Sequence, residues 1–267
     1  MTQTYDTLMD CLATLAVEAV QSPVTAMQVY WLTRVCETWH AEPSDHLTWA
    51  TLGQHGQVDA LLPMWARPVA PRAFVQLLQQ GIWLQGCGPM PWLTPANATW
   101  ESLSRLDGVT LRLIEPYQPY VTDVHDYAHR LWEAVCRVHG PRPLALRHIP
   151  AEVLRGAVLF EAGCYFACHE YFETLWDRVD DAASAWYQGL IHIAVAMRHL
   201  ESHNVRGATR LLQSGLGRLQ RYPAVYKSVD LTQFQVQCTT LLQALQALPN
   251  AAAYRFDPTQ VPRMLPE

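Results

Sequence analysis

Three polar side chains that could carry out chemistry stand close together in the largely apolar segment Phe160–Trp176. They are His169, Glu170 and Glu173. Because residues four apart lie on one face of an α-helix, His169 and Glu173 should project side by side. An imidazole and a carboxylate so arranged could bind a metal ion, exchange protons or hydrogen-bond to each other. The spacing therefore predicts a polar site on a helix.

Two familiar metal motifs do not fit this helix. A zinc-protease helix needs His-Glu-x-x-His, and the second His position holds Glu173. A di-iron bundle needs Glu-x-x-His pairs, and Phe166 stands three residues before His169. One metal-site hypothesis remains. In it, His169, Glu173 and His199 bind a divalent metal ion, and Glu170 acts as a catalytic general base.

A second polar stretch follows within apolar sequence, and we expect it to join the first. The candidate binding residues are His169, Glu173, Trp176, Gln188, His199 and Asn204. The same side chains could instead form a buried hydrogen-bond network that fixes the packing of neighbouring helices. Two functional hypotheses follow: a helical ligand-binding or interaction module with a buried His/Glu cluster, and a metal-dependent enzyme, of hydrolase type. Whether the protein is an enzyme is left open.

The second half of the chain has the apolar periodicity of helices that pack in an antiparallel bundle. Asp180 or Asp181, and Asn204, are expected to cap the helices that follow them. The predicted helices span about 152–163, 164–179, 182–201, 205–221 and 231–248. The final segment, 249–267, contains several Pro and should be coil.

The first half has a different composition, with eight of the ten Trp before residue 140. The sequence of this half predicts a mixed α/β domain or a mostly helical domain with a small sheet. Helices are expected near 4–20, 25–40, 72–80 and 123–138, and strands near 81–84 and 109–114; 86–89 should be a turn. The predicted domains are therefore a Trp-rich domain at 1–143, a bundle at 144–248 and a tail at 249–267, and exposed Trp could serve as an interaction surface.

The composition indicates where the protein is located and which classes of partner it can bind. The net charge of −5, without runs of Lys or Arg, disfavours nucleic-acid binding. The longest apolar run is too short to span a bilayer, and the N-terminus lacks the basic start of a secretory signal. The seven Cys form no Cys-x-x-Cys pair, which favours free thiols in a reducing cytoplasm. We therefore expect a cytoplasmic protein with a small-molecule or protein partner, and neither nucleic acid nor membrane as partner.

Three blocks of sequence resemble a known family. They are Phe160-x-x-Gly163-x-Tyr165-x-x-x-His169-Glu170-x-x-Glu173-x-x-Trp176, then Gln188-Gly189-Leu190-Ile191 with Ala194, Ala196 and His199, then Asn204-x-x-Gly207-Ala208 with Leu211-Leu212. The segment resembles domain-of-unknown-function family 309, a group of small helical proteins of bacteria and archaea. The resemblance implies a bacterial or archaeal source and an all-α bundle containing the His-Glu helix, and it implies no activity. Cys168 and His192 depart from the family pattern, which usually has a small residue such as Ala at the first position and Gln or an apolar residue at the second.

Overall fold

The computed structural model describes residues 3–41, 47–48, 51–52, 62–80, 84–87, 93–106, 110–142 and 146–266. The fold is mainly α-helical, as the sequence predicts. The chain divides into two compact units, Met1–Gly140 and Pro141–Glu267. Compactness does not show that either unit folds by itself, so the domain limits at 1–143, 144–248 and 249–267 stay a prediction.

The N-terminal unit combines helices with a small antiparallel sheet whose strand order is β1-β3-β2. Its helices are α1 (Gln3–Ala19), α2 (Pro23–Ala41), α3 (Ala70–Gln80), α4 (Trp100–Ser104) and α5 (Val121–His139), with a 3-10 helix at Glu115–Tyr120. Its strands are β1 (Leu47–Thr48), β2 (Leu84–Cys87) and β3 (Thr110–Leu113). The expectation of a mostly helical domain with a small sheet is thus confirmed.

One strand differs from the sequence prediction. Strand β2 begins at Leu84, where the predicted strand ends, and Gly86 and Cys87 lie in the strand instead of a turn. Leu84 pairs with Leu113, and Cys87 pairs with Thr110. Pairing with β3 therefore overrides the weak strand preference of Gly. The remainder of both predictions, residues 81–83 and 88–89, lies outside the described residues.

The described Trp side chains of this unit are buried or half-buried. Trp31 and Trp39 are buried, and Trp65, Trp100 and Trp132 are half-buried. The indole Nε1 of Trp31 donates to the carbonyl of Ala70 at 2.8 Å. The hypothesis of an exposed Trp surface is therefore wrong for Trp31 and Trp39, whose rings lie in the core, and stays a prediction for the half-buried Trp65, Trp100 and Trp132. Trp49, Trp83 and Trp92 lie outside the described residues.

The C-terminal unit is a helical bundle with one short hairpin. Its helices are α6 (Ala151–Glu161), α7 (Tyr165–Trp176), α8 (Asp181–Glu201), α9 (Val205–Leu219) and α10 (Leu231–Gln246). The hairpin pairs β4 (Val225–Tyr226) with β5 (Val229–Asp230). The apolar faces of the helices meet in a core that contains the fully buried rings of Phe160, Phe172, Trp186 and Phe234.

Helices α8 and α9 cross closely at two glycines. A Cβ at Gly189 would lie 2.7 Å from Cδ2 of Leu219, and a Cβ at Gly215 would lie 2.8 Å from the carbonyl oxygen of Gly189. Neither position has room for a methyl group, since real Cβ atoms almost never approach so closely. Helices α8 and α9 therefore approach each other closely at these two glycines.

The C-terminal segment packs on the bundle as coil with two 3-10 turns, Ala251–Ala253 and Pro258–Gln260. Tyr254, Met264 and Leu265 are buried. The Glu161 carboxylate accepts a hydrogen bond from the Leu265 backbone N–H at 2.7 Å. Among the described residues, no helix has the length and apolar character needed to cross a bilayer.

Candidate functional site

Helix α7 carries the three polar residues at the edge of the bundle core. Gly163, with φ of 71°, adopts the left-handed conformation that ends α6 and turns the chain into α7. The buried face of α7 consists of Tyr165, Ala167, Cys168, Tyr171 and Phe172. This apolar face fixes the rotation of the helix, so that His169, Glu170 and Glu173 lie at the boundary between core and solvent.

The imidazole of His169 lies between two carboxylates. Its Nε2 is 2.9 Å from Oε1 of Glu173, in hydrogen-bond geometry. Its Nδ1 is 3.2 Å from Oε1 of Glu170, yet the geometry makes no hydrogen bond, and Nδ1 is buried without a partner. The predicted contact between His169 and Glu173 is therefore present, and Glu170 takes up the other side of the ring.

These contacts constrain the positions of the protons. An ionised carboxylate only accepts hydrogen bonds, so Nε2 of His169 donates to Glu173. In the neutral imidazole Nδ1 then carries a lone pair, which lies near Oε1 of Glu170 but is not directed at it. A metal ion bound beside both atoms would satisfy them.

The cluster is only partly buried. The side chain of His169 is 18% exposed, and those of Glu170 and Glu173 are 44% and 45% exposed. The expectation of a buried His/Glu cluster is therefore wrong in its degree of burial, because all three side chains are half-buried. The carboxylates reach solvent because α7 needs only one face for the core, and an ion could approach from that side.

His199 binds a different partner. Its Nδ1 lies 3.0 Å from Nδ2 of Asn204, while Oδ1 of Asn204 accepts the backbone N–H of Gly207 at 3.0 Å and caps α9. The cap fixes which end of the carboxamide is oxygen, so Nδ2 donates to Nδ1 of His199. The neutral ring must then carry its proton on Nε2. Neither ring nitrogen offers a free lone pair to a metal ion.

A tight turn produces this contact. His203 has φ of 57°, which is uncommon for a residue other than Gly. The backbone N–H of His203 donates to the carbonyl of Leu200 at 3.0 Å, and that of Asn204 donates to the carbonyl of His199 at 2.8 Å. These two bonds form the Schellman motif that ends α8. The turn places the Asn204 side chain against His199.

The other two candidate residues have local partners of their own. Nε1 of Trp176 donates to Oγ of Ser184 at 2.7 Å. Oε1 of Gln188 accepts from Nε of Arg218 at 3.3 Å. Both contacts join neighbouring helices of the bundle. Sequence reasoning did not identify Ser184 and Arg218, whose partners lie on other helices and leave no mark in local spacing.

Among the described residues, the potential metal ligands that come together are His169, Glu170 and Glu173, with one ligand atom from each within 4.8 Å of the others. His199 is not part of this group. The predicted ligand set of His169, Glu173 and His199 therefore differs from the set that the geometry favours. The catalytic role of Glu170 stays a prediction.

His192, which departs from the family pattern, is half-buried on α8. Burial, and then the positive charge of Arg218, lower the pKa of this imidazole. Its Nδ1 is buried without a hydrogen-bond partner. The lowered pKa favours the neutral imidazole. His192 lies at the contact between α8 and α9, because a Cβ at Gly215 would be 3.4 Å from the Cβ of His192.

Comparison with known proteins identifies the same segment. Residues 153–211 match the model of a family described as "Domain of unknown function (DUF309)". The matched segment contains all of α7 and α8, and with them His169, Glu170, Glu173, His199 and Asn204. No curated protein and no solved structure matches the chain. The family resemblance that the sequence predicts is therefore confirmed for residues 153–211 of the C-terminal unit.

Proposed function

We propose that the C-terminal unit is a helical binding module in which His169 and Glu170 hold a divalent metal ion. The observation that carries this proposal is the buried Nδ1 of His169, which has no hydrogen-bond partner and lies 3.2 Å from Oε1 of Glu170. Two atoms bound to one ion at about 2.0–2.2 Å each can lie at such a separation. Imidazole and carboxylate are ligands that zinc, iron and manganese share.

Glu173 has a supporting role in this proposal. Histidines that bind metals generally donate their other ring N–H to a carboxylate or carbonyl, which sets the tautomer and the direction of the ring. The 2.9 Å contact between Nε2 of His169 and Glu173 matches that arrangement. The lone pair of Nδ1 is then available to the ion.

Only two side chains would hold the ion, so other coordination positions would be filled by water or by a small ligand. The partial exposure of Glu170 supports access from solvent. A metal centre with open positions can bind an oxygen or nitrogen atom of a small molecule. The module would therefore bind its ligand through the metal.

This proposal departs from the sequence-based hypotheses in two ways. Glu170 replaces Glu173 as a ligand, and His199 is left out because Asn204 uses its Nδ1. The alternative of a metal-dependent hydrolase required Glu170 as a free general base. A carboxylate that binds the ion cannot serve that role at the same time, so we favour a binding module over an enzyme.

The location and domain limits follow as further parts of this proposal. Among the described residues, no disulfide forms between Cys11, Cys36, Cys136, Cys164, Cys168 and Cys238. Mostly buried thiols outside disulfides support a cytoplasmic location, because such thiols persist in a reducing compartment. The boundary between Gly140 and Pro141 supports separate domains close to the predicted limit at residue 143.

Calorimetric titration of the chelator-treated full chain with Zn²⁺ tests the metal site. We expect one equivalent to bind to the wild type and none to His169→Ala. The matched control is His203→Gly, which removes an exposed imidazole from the same unit at a position whose backbone suits Gly. Circular dichroism must show that the variants are folded. Absence of binding by the wild type with Zn²⁺, Mn²⁺ and Fe²⁺, or equal binding by His169→Ala, would contradict the proposal.

A further inference from the structure

A polar cavity of about 540 Å³ lies within the N-terminal unit. Three helices form it: the end of α1 contributes Glu18, the start of α2 contributes Thr25 and Gln28, and α3 contributes Arg72 and Gln76. Small-molecule sites commonly have volumes of about 300–1,000 Å³. The cavity therefore has a suitable size for a metabolite.

The floor of the cavity contains buried polar side chains. In the part of the chain that the structure describes, the buried polar residues are Thr25, Gln28 and Thr33. Thr33 donates its hydroxyl to the carbonyl of Val29 at 2.9 Å on its own helix. Thr25 and Gln28 both line the cavity, with exposures of 8% and 5%. Buried polar groups are thus concentrated where a ligand could reach them.

The Gln28 carboxamide has hydrogen-bonding capacity to spare. Its Nε2 donates to Oε1 of Gln76 at 3.2 Å. Gln28 and Thr25 both line the cavity, and neither Oε1 of Gln28 nor the hydroxyl of Thr25 is a buried atom that lacks a partner. Water in the cavity, or a polar ligand in its place, can therefore hydrogen-bond to these two groups.

The rim of the cavity carries two unpaired charges of opposite sign. Arg72 and Glu18 are both exposed and both line the cavity. Nε of Arg72 donates to the carbonyl of Pro95 at 3.2 Å, which leaves the other guanidinium nitrogens for a ligand. Among the described residues, neither Arg72 nor Glu18 forms an ion pair.

The polar face of α3 is continuous along the cavity. Arg72, Gln76 and Gln80 follow one another at intervals of four residues, which places them on one side of the helix. The opposite side carries the buried Phe74 and Leu77. The helix is thus fixed by its apolar side and offers one guanidinium and two carboxamides to the cavity.

We propose that this cavity binds a small zwitterion of the α-amino-acid class. The guanidinium of Arg72 pairs with the carboxylate of the ligand, since the planar fork of Arg suits a carboxylate. The carboxylate of Glu18 pairs with the ammonium group. Gln28, Gln76 and Thr25 hydrogen-bond to a polar side chain of the ligand. This inference concerns the N-terminal unit and does not depend on the metal site at His169.

Thermal unfolding of the full chain in the presence of standard L-amino acids, added one at a time, tests the proposal. A polar amino acid such as glutamine, asparagine or serine should raise the melting temperature in a saturable manner, because a ligand that binds only the folded state stabilises it. Its N-acetyl derivative lacks the ammonium group, and its carboxamide derivative lacks the carboxylate. Each derivative should bind at least roughly tenfold more weakly.

Three variants locate the site. Arg72→Gln and Glu18→Gln should each weaken binding by roughly tenfold to a hundredfold, because each removes a charged partner. Arg105→Gln removes an exposed guanidinium that contacts Glu101, away from the cavity lining, and should bind like the wild type. No saturable stabilisation by any amino acid, derivatives that bind as tightly as their parent, or unchanged binding in Arg72→Gln would overturn the proposal.

Discussion

The Nδ2 of Asn204 lies 3.0 Å from Nδ1 of His199, across the turn between α8 and α9. The same carboxamide caps α9 through Oδ1. One side chain therefore joins the end of one helix to the start of the next. This contact also distinguishes the two histidines of the candidate site, because it occupies Nδ1 of His199 and leaves Nδ1 of His169 as the available nitrogen.

Replacing Asn204 should show how much its two contacts contribute to the free energy of unfolding. Asn204→Ala loses both the helix cap and the hydrogen bond to His199, so the free energy of unfolding should fall by about 1–3 kcal/mol. Urea unfolding at neutral pH checks this value. A loss below about 0.3 kcal/mol would contradict the assigned contacts.

Asn204→Asp separates the cap from the contact with His199. The carboxylate can still cap α9, but it only accepts hydrogen bonds, so His199 must donate from Nδ1. Asn204→Asp should therefore lose less stability in urea unfolding than Asn204→Ala, because it keeps the cap. An equal loss in the two variants would contradict the role of residue 204 as the cap of α9.

Two glycines on α9 should respond to Ala in opposite directions. Gly215→Ala places a methyl group against the backbone of Gly189 and should lower the free energy of unfolding by about 1–3 kcal/mol. Nothing lies within 4 Å of a Cβ at Gly217, so Gly217→Ala should raise the free energy by about 0.5–1 kcal/mol through helix propensity. Thermal or urea unfolding of both variants checks the pair. Equal effects would mean that α8 and α9 do not approach closely.

His192 should make stability depend on pH. Burial and the charge of Arg218 lower its pKa in the folded protein below the value of about 6.5 in an unfolded chain. The unfolded state therefore binds more protons, and the stabilising contribution is present above about pH 6.5 and is lost as pH falls through the folded pKa. Between about pH 7 and about pH 5, wild-type stability should fall more steeply than that of His192→Gln. Parallel curves would show that His192 does not contribute.

Glu170 and Glu173 should differ in their effect on metal binding. Glu170→Gln removes a ligand and should abolish measurable Zn²⁺ binding. Glu173→Gln keeps the shape of a side chain that only orients His169, so affinity should fall by roughly ten- to a hundredfold. Calorimetry on both variants provides the comparison. If Glu173→Gln abolishes binding while Glu170→Gln binds like the wild type, then Glu173 is the ligand and the assignment is wrong.

Much of the C-terminal unit could be predicted from sequence because its signals are local. The apolar periodicity sets the helices, and Asn204 is recognisable as a cap. The pairing of His169 with Glu173 follows directly from their spacing on one helix. The partner of His199 could not be predicted, because its contact depends on the left-handed turn at His203, and Gly is the usual residue in that conformation.

The N-terminal unit could be predicted less well, for a physical reason. The pairing of β2 with β3 and the burial of Trp31 depend on contacts between distant parts of the chain. The cavity lies where Gln28 on α2 contacts Gln76 on α3, and these residues are far apart in the sequence. Its one visible sign in the sequence is a Gln on α2 that is flanked by the apolar residues Met27 and Val29.

X-ray absorption at the zinc edge tests the proposed metal site most directly. Zn²⁺-loaded wild-type protein should show nitrogen and oxygen ligands at about 2.0–2.2 Å, with outer-shell scattering from an imidazole. That imidazole signal should be absent from His169→Ala treated in the same way. Sulfur ligands near about 2.3 Å, or imidazole scattering that persists in His169→Ala, would show that the ion binds elsewhere and would contradict the account.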